Sequence, residues 1–190
     1  MSVLETIRNR RTAHLYRPSQ ISEETLQQCL ETALLAPNHK HTFPWKIIVV
    51  GPQTRAILRD RAKQTLIEDR EQPPTQAVEQ QIDQRLERKF INPAALVVFC
   101  CQKSPNNFQQ REDYATVCCG IQNFTLACTE QGWANKWSTG RITRSPETYQ
   151  LLNVDPTQHE IIGFLWVGQP LDKPAPQKRP ALEQVVSQMP

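Results

Sequence analysis

Glycine is scarce in this sequence, with six residues among 190. None of the six forms the G-x-G-x-x-G or G-x-x-x-x-G-K-[ST] pattern, in which glycine lets the backbone approach the phosphates of a nucleotide. The G-x-S-x-G elbow of α/β-hydrolases is also missing. We therefore expect neither a Rossmann or P-loop nucleotide site nor a hydrolase of that type.

Long apolar runs and a strong net charge are missing as well. No stretch approaches the roughly 18–20 consecutive apolar residues that a membrane helix needs. The first residues include Glu5 and no long apolar run, so we expect no signal or transit peptide and no membrane partner. The net charge of +3 is too small to indicate a nucleic-acid partner. These features predict one cytoplasmic domain covering residues 1–190.

The cysteines and histidines show no metal-binding pattern. Six cysteines include two adjacent pairs, Cys100-Cys101 and Cys118-Cys119, but no C-x-x-C. We interpret all six as reduced core thiols, since they lie in apolar-patterned segments. His39 and His41 could ligate a metal, but no acid or thiol stands near them in the sequence, and zinc needs three or four ligands. No metal site is predicted.

The elements that are present alternate between helices and strands. The predicted order is helix, helix, strand, two helices, strand, long helix, strand, helix, strand and a proline-rich extended arm at residues 168–190. The long helix, near residues 113–130, is rich in small or thin side chains and is placed centrally. The run "IIGFLWVG" predicts a central strand. The fold class is α+β.

Three polar stretches are candidates for a site. "RNRRT", which covers residues 8–12, has guanidinium groups that match phosphate oxygens, but the same residues suit a solvated helix end, and taken alone they favour the latter. The loop "APNHKHTFPW" suits either a polar loop anchored by its aromatic residues or one wall of a pocket for a planar ligand. "WSTG", which covers residues 137–140, offers hydroxyl and N–H groups to an anion or ring edge, or is an ordinary strand.

Taken together and in order, these stretches resemble the FMN-dependent nitroreductase-like enzymes. The resemblance rests on "RRTAHLYRP", "LLAPNHKHTFPWKIIVV", "YATVCCGIQNFTLACTEQGW", "WSTG", "IIGFLWVGQP" and a proline-rich basic tail, and it covers nearly the whole chain. It is closest to the compact branch of the family. It implies a central mixed sheet flanked by helices, a homodimer built on the long helix with a domain-exchanged C-terminal arm, and FMN at the subunit interface.

The resemblance also implies an activity and a set of cofactor contacts. The activity is reduction of nitroaromatic, quinone or similar small acceptors with NADH or NADPH, by ping-pong hydride transfer. Because FMN carries the redox step, no catalytic acid–base pair is required. The implied cofactor-binding residues are Arg10, Arg11, Thr12, His39, Phe43, Trp137, Ser138, Thr139, Gly140, and Lys178 or Arg179.

The sequence departs from the family pattern at two of these places. His14 stands where a further arginine is usual, and Phe43 stands where many members have a polar amide. We expect His39, Lys40 or the N–H groups near Thr139 to supply positive or donor groups at the flavin ring edge. Two alternatives remain: a flavin-modifying or dehalogenating enzyme of the same fold, and a non-catalytic dimer that binds a phosphate ligand or nucleic acid.

Overall fold

A single antiparallel sheet organises the chain in the computed structural model, which describes residues 2–172, 174 and 177–189. Its strands are β1 (Trp45–Val49), β2 (Ala95–Gln102), β3 (Ala134–Ser138) and β4 (His159–Gly168). The spatial order is β1-β2-β4-β3, and each neighbouring pair is antiparallel. The parallel contact recorded is an isolated bridge between Thr12 and Asn135, which covers part of the outer edge of β3.

Six α-helices surround the sheet in the described residues, and their ends follow the sequence signals. They are α1 (Val3–Asn9), α2 (Glu23–Leu34), α3 (Pro52–Glu68), α4 (Gln76–Leu86), α5 (Asn107–Glu130) and α6 (Pro146–Leu151). Ser22 caps α2 by accepting a hydrogen bond from the backbone N–H of Thr25 at 3.1 Å, and Ser145 caps α6 in the same way. Gly132 follows α5 with a φ of 81°, a left-handed conformation that glycine adopts without strain.

The two faces of the sheet bury separate apolar cores. One core lies between the sheet and the α2–α5 layer, and the other lies between the sheet and α3, α4 and α6. Strands β2 and β4 are buried almost throughout, which confirms the central place predicted for "IIGFLWVG". The element order and the α+β class are confirmed as well. The mixed sheet that the resemblance implied is wrong for the described strands, because every pair of neighbouring strands runs antiparallel.

The thinness of α5 lets α2 pack closely against it. A Cβ added at Gly120 would lie 2.8 Å from the carbonyl oxygen of Ala33, so the helices meet almost backbone to backbone. Buried Cys29 on α2 and Cys128 on α5 belong to the same contact layer. The central packing predicted for this helix is confirmed.

One cysteine contradicts the interpretation that all six are core thiols. Cys119 is exposed, Cys118 is half-buried, and the other four are buried; all six are free. Cys119 lies near the middle of α5 on a side that this chain leaves uncovered, because a helix of 24 residues cannot bury every face against one sheet and α2. Phe108 and Tyr114 of the same helix are also exposed, at 65% and 42%.

Other apolar side chains are exposed at the two ends of the chain. On α1 these are Val3, Leu4 and Ile7, and on the arm they are Leu182, Val185, Val186 and Met189. Within the described residues, no helix combines the length and the apolar character that crossing a bilayer would require.

Candidate cofactor and substrate site

Arg10 is a half-buried cation at the end of α1. Its backbone N–H closes the helix on the carbonyl of Thr6 at 2.9 Å, which leaves the side chain beside the sheet edge. Burial lowers the pKa of Arg10, and the charges of Arg11 and Arg179 lower that pKa further. None of the salt bridges found among the described residues involves Arg10. Like charges without a carboxylate favour an anionic ligand such as phosphate.

Arg11 is turned differently from Arg10. Its Nη1 donates to the carbonyl of Arg8, at very short range, and to the carbonyl of Arg10 at 2.8 Å. Arg11 therefore caps the C-terminus of α1, where carbonyl groups lack partners in the helix. Arg10 and Arg11 were both predicted to bind phosphate, but in this structure the side chain of Arg11 caps α1, whereas that of Arg10 does not. Thr12 is exposed, and its bridge to Asn135 holds the segment against β3.

The C-terminal arm returns to this N-terminal segment. The backbone N–H of Leu171 donates to the carbonyl of Leu15 at 2.9 Å, and Tyr16 forms an isolated bridge with Pro170. Further along the arm, Lys178 and Arg179 are both exposed. Of the two, Arg179 is the residue whose charge acts on Arg10. The structure therefore brings together Arg10, Thr12 and Arg179 from the predicted phosphate group.

Trp137 is an anchor of β3. Its indole N–H donates to the carbonyl of Ile162 at 3.3 Å, and its ring fills the space above Gly163. A Cβ at Gly163 would lie 2.2 Å from Trp137 Nε1, so only glycine leaves room for this ring. Trp137 thereby fixes the end of β3, from which residues 138–140 continue.

Ser138 and Gly140 line a cavity of about 750 Å³. The cavity lies between α3, the turn after α4 and residues 138–148. Thr139, between them, is exposed, and its carbonyl accepts a hydrogen bond from Arg144 Nη2 at 3.2 Å. The apolar part of the wall comes from Ala62, Leu66, Leu86, Phe90 and Ile142. Such a cavity, with apolar walls and a few polar groups, suits an organic ligand.

Lys89 brings a positive charge to the wall of this cavity. It lies in a π-helical turn, Glu87–Ile91, with its Nζ 5.1 Å from the ring centroid of Phe90. Buried Arg55 holds this turn by donating to the carbonyls of Phe90 and Ile91, both at 2.8 Å. Burial lowers the pKa of Lys89 to about 8, and the charges of Lys136 and Arg85 add to this effect.

Lys89 belongs to a basic cluster with His14, Arg85 and Lys136. Lys136 Nζ lies 3.3 Å from His14 Nδ1. The charge of Lys136 is the main cause of a lowered pKa at His14, and burial followed by the charge of Arg85 lowers the pKa of Lys136. No salt bridge recorded between described residues includes a member of this cluster. Sequence reasoning missed it because its four members come from three separate segments: His14, the stretch with Arg85 and Lys89, and Lys136 on β3.

The loop of His39 and Phe43 lies at the other edge of the sheet. It leads into β1, whereas residues 137–140 belong to the end of β3, and β2 and β4 stand between these strands. Three strand spacings amount to about 14 Å. One chain therefore does not bring His39 and Phe43 together with the other predicted cofactor residues.

The same loop is exposed and tightly held. Phe43 is 62% exposed, and Lys40, His41 and Phe43 all have positive φ angles. His39 Nδ1 lies 2.8 Å from both carboxylate oxygens of Glu112 on α5. No group of three or more potential metal ligands occurs in the described part of the chain, and the partner found for His39 is Glu112.

Comparison with known proteins identifies the family. The model of the nitroreductase family matches residues 7–169. The chain belongs to the nitroreductase family. It is 26% identical over 174 residues to the Escherichia coli K12 protein named "Putative NAD(P)H nitroreductase YdjA", covering 90% of this chain and 89% of that protein.

Solved structures share the fold. The nitroreductase-like family protein from Bacillus cereus superimposes with a TM-score of 0.82 at 24% identity, over 100% of this chain and 96% of that one. The FMN- and NADPH-dependent nitroreductase NfnB from Sphingopyxis sp. strain HMH gives a TM-score of 0.79 at 16% identity, over 100% of both chains. Both confirm the nitroreductase-like fold predicted from the sequence.

Proposed function

We propose that this protein is an FMN-dependent NAD(P)H oxidoreductase that reduces nitroaromatic, quinone or similar small acceptors in a ping-pong cycle. The observation that carries the proposal is the presence of two groups of basic side chains that form no recorded salt bridge within the described residues. One group is Arg10 with Arg179, and the other is His14 with Lys136 and Lys89, of which Lys89 lines the cavity. Membership in the nitroreductase family supports it.

The group that contains Arg10 and Arg179 fits the FMN phosphate. Arg10 and Arg179 offer guanidinium groups, which bind phosphate oxygens in pairs, and exposed Thr12 adds a hydroxyl. The like charges of Arg10 and Arg179 oppose each other, so a dianion between them relieves a repulsion as well as forming hydrogen bonds. Arg11 contributes less, because its guanidinium caps α1.

The cavity with Lys89 on its wall suits the redox-active ring of the cofactor. The chemistry that FMN supplies when bound is acceptance of a hydride from NADH or NADPH and its transfer to the acceptor. Lys89 on the cavity wall, with Lys136 and His14 beside it, would favour the negative charge that bound FMN gains on reduction. The apolar wall keeps water away from that charge, which strengthens its interaction with the cations. The protein thus stabilises the reduced state without a catalytic acid or base of its own.

The wall opposite this cavity comes, in our proposal, from a second copy of the chain. His39 and Phe43 lie at the far edge of the sheet from Ser138, so they can complete a site in a homodimer but not in a monomer. The uncovered side of α5 and the apolar side chains of α1 and the arm offer surfaces for that contact. Exchange of the arm between subunits, and a cytoplasmic location, also remain proposals.

Anaerobic spectroscopy tests the function directly. The purified protein is expected to be yellow or to turn yellow with added FMN, to bleach with NADH or NADPH, and to recover its colour when menadione or nitrofurazone is added. A colourless protein that takes up no FMN would overturn the proposal in favour of a phosphate-binding module. Bleaching without recovery on any acceptor of these classes would contradict the proposed acceptors.

A further inference from the structure

Phe43 is held in place by a chain of side-chain hydrogen bonds that begins at a buried carboxylate. Asp113 of α5 is 4% exposed and accepts hydrogen bonds from Thr42 Oγ1 at 2.5 Å and from Gln109 Nε2 at 2.9 Å. Thr42 in turn accepts from Asn38 Nδ2 at 2.9 Å. Asn38 Oδ1 accepts from the backbone N–H of Phe43 at 2.8 Å. The chain thus runs from the interior of α5 to the exposed aromatic ring.

These hydrogen bonds stabilise a loop whose backbone conformation is unfavourable by itself. Lys40, His41 and Phe43 have φ angles of 61°, 51° and 48°, in the left-handed region that costs about 1 kcal/mol or more for a residue with a Cβ. Three such residues in one short loop persist only when surrounding contacts fix them. The hydrogen bond from the Phe43 N–H to Asn38 and the 2.8 Å contact of His39 Nδ1 with the carboxylate of Glu112 are contacts of that kind.

The held ring is the exposed member of an aromatic group. Its centroid lies 6.0 Å from the ring of His41 and 6.3 Å from the ring of Trp45. A 62% exposed phenylalanine in a fixed backbone, backed by two further rings, is a surface on which a flat ligand can stack. A mobile loop would offer the same ring at a larger entropic cost.

We propose that Thr42 is a positioning residue: by joining Asp113 to Asn38 it holds Phe43 as a rigid shelf that selects planar aromatic acceptors. This inference rests on the proposed function, because the shelf acts at the cavity of the second subunit. Thr42 itself is exposed and does not belong to the phosphate or cavity groups. Its hydroxyl is at once the donor to the carboxylate and the acceptor for the amide.

A matched pair of substitutions tests the proposal in the FMN-loaded protein. Thr42→Val keeps the shape and removes the hydroxyl, and Thr42→Ser keeps the hydroxyl. Thr42→Val should raise the KM for menadione, a planar quinone, about three- to tenfold, the factor that one net hydrogen bond corresponds to. Thr42→Ser should remain within about twofold of wild type. Reduction of ferricyanide, which needs no stacking surface, and FMN affinity should be unchanged in both variants.

A double substitution shows whether Thr42 acts through the ring. In Phe43→Leu the shelf is already lost, so adding Thr42→Val should raise the menadione KM no further. A Thr42→Val protein with wild-type menadione kinetics would overturn the proposal. So would equal losses with menadione and ferricyanide, because a general structural defect lowers both. A wild-type protein that takes up no FMN would overturn the proposed function first, and this inference with it.

Discussion

Replacing Arg10 by alanine probes the phosphate group most directly. A charge-assisted hydrogen bond is worth about 1.5–3 kcal/mol, which corresponds to roughly a ten- to hundredfold loss of FMN affinity at about 1.4 kcal/mol per decade. The half-buried position of Arg10 places the expected loss in the upper part of this range, since solvent screens its charge less.

The assay is a fluorescence titration of apoprotein with FMN and, separately, with riboflavin, which lacks the phosphate. Arg10→Ala should weaken FMN binding and leave riboflavin binding near the wild-type value. Arg11→Ala should have a smaller effect, because Arg11 caps α1. Arg8→Ala, at an exposed position, is the matched control and should stay within a few-fold. Equal losses for FMN and riboflavin, or none for FMN, would refute the assignment of Arg10 to the phosphate.

Three further predictions concern α5 and the basic cluster. If two copies pack along α5 about a twofold axis, copper–phenanthroline oxidation should give a covalent dimer that Cys119→Ser abolishes and Cys118→Ser retains; a monomeric mass by light scattering with FMN bound would contradict this. Lys89→Met should raise the melting temperature of the apoprotein at pH 7. The pKa of Lys89 in the folded protein, about 8, lies below the ordinary lysine value near 10.4, so the stability of the wild type rises with pH between these two values. The gain in melting temperature from Lys89→Met should therefore shrink over that pH range. A gain that does not change with pH would contradict the assignment of the effect to the charge of Lys89. Gly120→Ala should lower the free energy of unfolding by about 1–3 kcal/mol, because its Cβ would meet the carbonyl of Ala33; urea titration measures this, and an unchanged midpoint would show that the helices can separate at no cost.

Local signals in the sequence were enough to predict the elements. Ser22 and Ser145-Pro146, residue types that favour a helix start, do begin helices, and the apolar run of β4 is buried in the sheet interior. These features depend on neighbouring residues, so a single sequence carries them. Cys119 was predicted to be buried, and this was wrong, because the spacing of apolar residues on a long helix does not show which of its faces contact other elements.

The site depends on contacts between distant segments, and those were harder to predict. The resemblance to the family proposed Arg10, Arg11, Ser138 and Gly140 as cofactor contacts, which stay predictions, but it gave no reason to expect that Arg11 would cap its own helix. Lys89, in the turn after α4, and Lys136, on β3, lie close enough for their charges to interact, and no local pattern encodes this contact between distant segments. Strand order, also non-local, separates His39 from both.

The meeting of Arg10 with Arg179 has a consequence for how the protein is made. The two residues are far apart in the sequence but close enough in the fold for their charges to repel each other. During synthesis Arg10 leaves the ribosome long before Arg179, so this phosphate group cannot form until nearly the whole domain has been translated. If Arg10 and Arg179 bind the FMN phosphate as proposed, cofactor loading would follow translation of both segments and would join them around one anion. Limited proteolysis should then cut the arm faster in the apoprotein than in the loaded protein.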